Sequence, residues 1–205
     1  MASETQIQQN TRRRIVEAAI DLMSGKGFHR VSVQEVGEKA GMCEKTVFRY
    51  FATKKSLLDA IIQYRESASA LKQEFEKKRT WNLERDLHLA ARLYFQATKS
   101  KRNAVRAYLS ALESVDTNGD AYLRNSRELL DFLTDYMRAM QERGRVREGD
   151  ARLMAFAFVN TLHGYMLMYC LNDDERVWKA RVASMKLTID LLVRGIAAAG
   201  GADEA

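Results

Sequence analysis

The sequence predicts an all-α fold, and three features carry that prediction. None of the 205 residues is proline, so the commonest helix breaker is missing from the whole chain. Apolar residues recur at three- and four-residue spacing in segment after segment, which marks one face of a helix. No stretch alternates apolar and polar residues as a half-buried strand does. The length allows one large or two modest domains, either able to bury a core.

Residues 1–10 are polar and read as a flexible tail. Ile15, Ala18, Ala19, Leu22 and Met23 then form the apolar face of a first helix. Gly25 and Gly27 are placed to end it, because glycine readily takes the left-handed conformation of a helix C-terminus. Ser32 with Glu35 is a capping box that opens a second, short helix. Val33, Val36 and Ala40 give that helix its apolar edge, and Gly41 closes it. Cys43 is placed to cap a third short helix running through Tyr50, and Thr53 to cap a fourth. The fourth carries Leu57, Leu58, Ile61 and Ile62 and is expected to continue through Glu76.

Five more helices are expected beyond Trp81, about nine in all, divided by polar stretches at 99–103, 116–120, 144–149 and 172–174. The fifth shows Leu87, Ala90, Ala91, Tyr94 and Phe95 on one face. The sixth shows Val105, Tyr108, Leu109 and Leu112, and the seventh Leu130, Leu133, Met137 and Met140. The eighth, from Asp150 to Leu171, is apolar nearly all round, which predicts burial on more than one side. The ninth carries Trp178, Val182, Met185, Ile189, Leu192 and Ile196 in a single stripe.

Composition excludes several classes. At 46% hydrophobic and 29% charged, without repeats or biased tracts, the chain is neither disordered nor fibrous. The formal charge of +6 suits a polyanionic partner. Residues 1–60 hold 10 basic and 7 acidic groups, half of that excess. Cys43 and Cys170 match no metal or redox spacing and are expected as free thiols in a reducing cytoplasm. The N-terminus lacks the pattern of a signal peptide. The membrane-length apolar stretch from Leu153 to Leu171 carries Asn160, Thr161, His163 and Gly164 in its middle, which favours a buried helix over a span.

Two short helices joined by a tight glycine turn, packed on an earlier helix within sixty residues, make the helix-turn-helix arrangement of DNA readers. In the second of the pair Val47 and Phe51 are four apart and face the core. Lys45, Thr46, Phe48, Arg49 and Tyr50 then face outward. They offer phosphate donors, a guanidinium suited to guanine, and rings able to pack on thymine methyls or sugars. Glu44 is able to accept from a cytosine amine or to pair with Arg49 or Lys45. The run Arg12, Arg13, Arg14 reads either as a phosphate-binding arm or as a solvated charge run.

From Arg12 to Ile62 the sequence, above all GMCEKTVFRYFATKKSLLDAI, resembles the TetR family of bacterial transcriptional regulators. The resemblance implies that Thr46, Phe48 and Tyr50 contact the sugar-phosphate backbone. It places Glu44, Lys45 and Arg49 nearest the base edges and has Lys54 hold a phosphate. Ser32 and Gln34 would touch the backbone and a base. Cys43 stands where such sequences usually have serine.

The same resemblance implies a helix-turn-helix domain over 11–56, a helical effector-binding and dimerisation domain over 57–200, and a tail over 201–205. It implies a cytoplasmic homodimeric repressor on a palindromic operator, released by a small, largely apolar or aromatic effector. Candidate pocket residues are Trp81, Tyr94, Phe95, Tyr108, Phe132, Tyr136, Met137, Met140, Phe158 and His163, rings and flexible methionines that equally suit a core. Candidate dimer residues are Phe156, His163, Leu167, Trp178, Val182, Met185, Ile189 and Leu192. No cofactor and no metal is expected. An enzyme is disfavoured, since no phosphate loop, nucleophile elbow or metal-binding histidine pair appears among His29, His88 and His163. A ligand-independent regulator or activator of the same fold is the other reading.

Overall fold

The computed structural model describes residues 4–63, 68–111, 120–172 and 174–198. The expected tail at 201–205, most of the break at 116–120, Leu112, and the side chains of Ile62 and Trp178 lie outside the described residues. Among the described residues there are ten α-helices and no β-strand. Two compact units divide the chain, 1–65 with 101–123, and 66–100 with 124–205.

In the first unit, α1 (Glu4–Lys26) begins inside the stretch read as a tail. It buries Ile15, Val16, Ala18, Ala19, Ile20 and Met23. Gly27, at φ 87°, ends it with its N–H on the carbonyl of Met23. A single 3-10 turn, Phe28–Arg30, leads to α2 (Val33–Ala40), whose capping box is complete. The Glu35 N–H donates to Ser32 Oγ at 3.1 Å, and the Ser32 N–H to Glu35 Oε2 at 2.7 Å. α3 spans Glu44–Tyr50 and α4 Lys54–Gln63. Thr53 and Ser56 cap α4 reciprocally, each hydroxyl accepting the other's backbone N–H.

A later segment completes this unit. α7 (Arg102–Leu109) packs on α1 and α4 and adds Ala104, Ala107 and Ala111 to the core around Ile15, Val47, Phe51 and Leu57. Alanine on the contact face lets the helices approach closely.

The second unit holds α5 (Ala68–Lys78), α6 (Leu83–Ser100), α8 (Asp120–Glu142) from residue 124 onward, α9 (Ala151–Leu171) and α10 (Glu175–Ile196). The expected continuation of the fourth helix through Glu76 crosses residues 64–67, which lie outside the described residues, and helix is described again from Ala68. Phe75 of α5 is fully buried and meets Phe132 and Tyr136 edge to face, each with centroids 5.2 Å apart. Asp86 of α6 is completely buried. It accepts from the Thr80 N–H (2.7 Å), Thr80 Oγ1 (3.0 Å), the Trp81 N–H (2.9 Å) and Tyr136 Oη (2.9 Å). Four donors on one carboxylate fix the α5–α6 turn against α8. Burial, then the Asp86 charge, pushes the Tyr136 phenol far above the ordinary tyrosine range. The segment after α8 ties to the end of α10 through the Arg147 N–H on the Ile196 carbonyl and the Ala198 N–H on that of Arg145.

Helix α9 is long and apolar enough to cross a membrane by length and composition. It buries Ala155, Phe158, Val159, Leu162, Met166 and Cys170 within the protein and leaves Leu153, Phe156, Met168 and Leu171 exposed.

Candidate nucleic-acid interface

The turn between α2 and α3 is built for close approach. Gly41 takes the left-handed conformation at φ 69°, with its N–H on the carbonyls of Gly37 and Glu38. The Met42 N–H donates to the Gly37 carbonyl at 2.8 Å. A Cβ on Gly37 would stand 2.8 Å from the Met42 carbonyl oxygen, so this glycine is needed where the chain doubles back. Sequence reasoning passed over Gly37, because a glycine inside a helix gives no sign of what crosses it.

Helix α3 buries Val47 completely and Phe51 follows it into the core. The opposite side presents Glu44, Lys45 and Arg49 exposed, Phe48 at 44% exposure, and Thr46 and Tyr50 half-buried. An exposed phenylalanine beside two cations is an unusual use of surface for a chain without a partner. The Arg49 guanidinium lies 5.5 Å from the Tyr50 ring centroid. Among the described residues no ion pair joins Glu44 to Lys45 or Arg49, while Arg13 pairs with Glu17, Lys26 with Glu35 and Lys39 with Asp21.

Cys43 occupies the N-cap of α3 without accepting a backbone N–H through its side chain. Its Sγ lies 3.3 Å from Thr46 Oγ1, and that hydrogen bond, followed by the Thr46 backbone, holds the thiol below its usual pKa.

The three arginines of α1 have different surroundings. Arg14 donates from Nη2 to the Ala40 carbonyl at 2.7 Å and so satisfies the last turn of α2. The Arg12 guanidinium sits 4.6 Å from the Phe51 centroid, and Arg13 makes a long exposed pair with Glu17. Ser32 is exposed at the start of α2, and Gln34 donates to Glu38 at 2.9 Å. The Lys54 amine packs 4.4 Å from the Phe28 centroid. Partial burial pulls its pKa below the ordinary lysine value, with the Glu35 carboxylate opposing.

In the second unit Phe132, Tyr136, Met137, Met140 and Phe158 are buried, and Tyr94 sits against Phe95 and His163. The Trp81 ring lies 4.0 Å from the Arg79 guanidinium and 3.5 Å from that of Arg143. Tyr108 is buried in the first unit. Among the described residues a groove of about 630 Å³ opens between α6, α9 and α10. Its walls include His88, Arg92, Phe95, Tyr169, Met185 and Asp190. Phe95 is the one expected pocket residue among them, and that volume accommodates a small molecule.

Of the residues named for dimerisation, Ile189 is completely buried within the chain and Met185 nearly so. Val182, Leu192, His163 and Leu167 are half-buried, and Phe156 is 49% exposed. The apolar groups presented to solvent on these helices are Leu153, Phe156, Met168 and Leu171 of α9, with Leu187 and Leu191 of α10. Leu153 and Phe156, Met168 and Leu171, and Leu187 and Leu191 are each three or four residues apart, so each pair shares a helix face.

Residues 15–61 match the family described as bacterial regulatory proteins, tetR family. The chain is 23% identical over 192 residues to the HTH-type transcriptional regulator YvkB of Bacillus subtilis (strain 168), covering 92% of this chain and 98% of that one. SmeT, the repressor of the Stenotrophomonas maltophilia multidrug efflux pump SmeDEF, has the same fold. Its triclosan complex superposes with a TM-score of 0.65 at 20% identity, covering 94% of each chain. AibR in complex with isovaleryl coenzyme A and operator DNA superposes with a TM-score of 0.59 at 19% identity, covering 90% of this chain and 95% of that one. YvkB and SmeT are thus a transcriptional regulator and a repressor.

Proposed function

We propose that this chain, a member of the tetR family of bacterial regulatory proteins, is a cytoplasmic repressor that binds a palindromic operator as a homodimer and releases it on binding a small effector. The observation that carries the reading is the outward row of α3, where Lys45, Phe48 and Arg49 project from a helix anchored by buried Val47 and by the glycine turn before it. A helix so presented fits the major groove, with Arg49 and Lys45 toward base edges and Thr46, Phe48 and Tyr50 toward the backbone.

One such head covers a half-site, and two-fold symmetry matches a palindrome. The unpartnered apolar faces of α9 and α10, including Phe156, Leu187 and Leu191, suit a four-helix contact between two copies. For the effector, support comes from the groove between α6, α9 and α10 and from SmeT and AibR, each solved with a small molecule bound. A ligand-independent regulator of the same fold is the other reading, favoured by the ring contacts that Phe132 and Tyr136, named for a pocket from the sequence, make with Phe75.

The test is binding to the chain's own promoter region. Arg49→Ala is expected to relax base preference by about 1–3 kcal/mol, and Lys54→Ala to weaken all sequences alike. Specific binding undiminished in both would refute the assignment of α3 as the reading helix.

A further inference from the structure

Glu84 and His88 stand one turn apart on α6 and share a face. Across from them on α10, Asp190 Oδ1 lies 2.7 Å from His88 Nε2. One ligand atom from each of the three residues falls within 4.8 Å of the others, and all three line the groove between α6 and α10. The geometry points to a divalent transition-metal site formed by Glu84, His88 and Asp190, with its remaining coordination positions open to that groove.

The donor set selects the ion. Two carboxylates balance a 2+ charge, and a neutral imidazole nitrogen suits zinc, cobalt or nickel better than calcium or magnesium, which take oxygen ligands. The neighbouring cations reinforce this choice. Arg92 and Lys186 line the same groove one turn from His88 and Asp190, so an ion held by charge alone is repelled. One held by directional bonds to nitrogen and oxygen is retained. Metal–donor bonds of about 2.0–2.2 Å need the donors within roughly 3.3–4.2 Å of one another. Metal binding therefore needs the His88–Asp190 pair, 2.7 Å apart, to open by about half an ångström or more, and the exposed Glu84 side chain to rotate toward it. Coordination through Nε2 requires that nitrogen to be free of hydrogen, so the neutral ring carries its hydrogen on Nδ1 and the Nε2 contact with Asp190 is exchanged for the metal bond. Three protein ligands with open positions describe a site that also accepts a water or a metal-binding small molecule. The site stands apart from the effector reading above, since an ion joining α6 to α10 needs no organic ligand.

Full-length protein is stripped with a chelator and titrated with Co²⁺ while its visible absorption is recorded. One saturating Co²⁺ per chain is expected, displaced by Zn²⁺ but not by Mg²⁺ or Ca²⁺. Glu84→Gln and Asp190→Asn are each expected to weaken binding at least as much as the 10–100-fold typical of losing an outer-shell partner, and His88→Ala to abolish the band. Glu84 is exposed, so Glu84→Gln keeps the test decisive should the His88 variant not fold. The site is refuted by the absence of a protein-dependent band. It is equally refuted by a band that Glu84→Gln and Asp190→Asn leave unchanged, because that places the ion elsewhere.

Discussion

The backbone N–H of Phe28 donates to Ser110 Oγ at 2.9 Å, joining residues 82 positions apart in the chain. The same hydroxyl donates to the Ala107 carbonyl at 2.7 Å, so Ser110 links the last turn of α7 to the exit of α1. Ser110→Ala leaves the part-buried Phe28 N–H without its acceptor. A loss of about 1–3 kcal/mol follows, read as a lower midpoint in thermal or urea unfolding. Ser110→Thr keeps the hydroxyl and is expected to recover most of it.

Gly37→Ala separates intrinsic propensity from close approach. Alanine favours a helix over glycine by about 1 kcal/mol, yet the new Cβ meets a backbone oxygen at 2.8 Å. The clash is expected to win by roughly 1–3 kcal/mol and to disturb α3, so operator affinity falls along with stability. A variant more stable than the parent would show that the turn adjusts at little cost.

Much of the DNA-reading half was legible because its signals are local. Ser32 and Glu35 announce a helix start, Gly41 a stop, and the spacing of Val47 and Phe51 fixes which side of α3 faces out. Contacts remote in sequence left no such mark. Nothing in RNAVRAYL tells that α7 returns to α1, and nothing in ERDLHLAARLY singles out Asp86 as the acceptor of four hydrogen bonds. Arg14 looks no different from Arg12 and Arg13, yet it holds the Ala40 carbonyl. On α9 apolar residues lie all round, so no pattern could choose the side that faces out, and on α10 the apolar stripe marks the buried side. The exposed Leu187 and Leu191 were therefore missed.

The Glu35 carboxyl accepts from Lys26 at 2.7 Å and from the Ser32 N–H, and these bonds lower its pKa to about 2. A folded pKa below the unfolded value stabilises the protein above about pH 4.5. That contribution is lost as pH falls from there toward 2. In unfolding followed from pH 6 to pH 2.5, Glu35→Gln should flatten this part of the acid dependence. An unaltered profile would mean that the capping box contributes nothing through ionisation.

Replacing Asp86 by alanine takes the acceptor from the part-buried Thr80 and Trp81 N–H groups and from the buried Tyr136 hydroxyl. At about 1 kcal/mol or more for each donor, the loss reaches roughly 3 kcal/mol. Calorimetry should show the largest fall in midpoint among these variants.

Charges placed on the exposed apolar face test the dimer. Leu187→Glu together with Leu191→Glu adds like charges on residues 60% and 58% exposed in the single chain. Light scattering is expected to give a monomer with unchanged helical content, and operator binding to weaken sharply. A double variant that stays dimeric moves the interface to another surface.

The DNA-reading unit takes Ala104, Ala107, Ala111 and the Ser110 hydroxyl from a segment that follows the first strip of the other unit. During synthesis, therefore, the reading head cannot close when its own motif leaves the ribosome. About forty further residues must emerge first, and at roughly 5–20 residues per second that is a wait of a few seconds. Until then Ile15, Val47 and Leu57 share an unfinished core. A gene fragment ending at Arg65 would encode the whole recognition motif and still lack the helix that seals it.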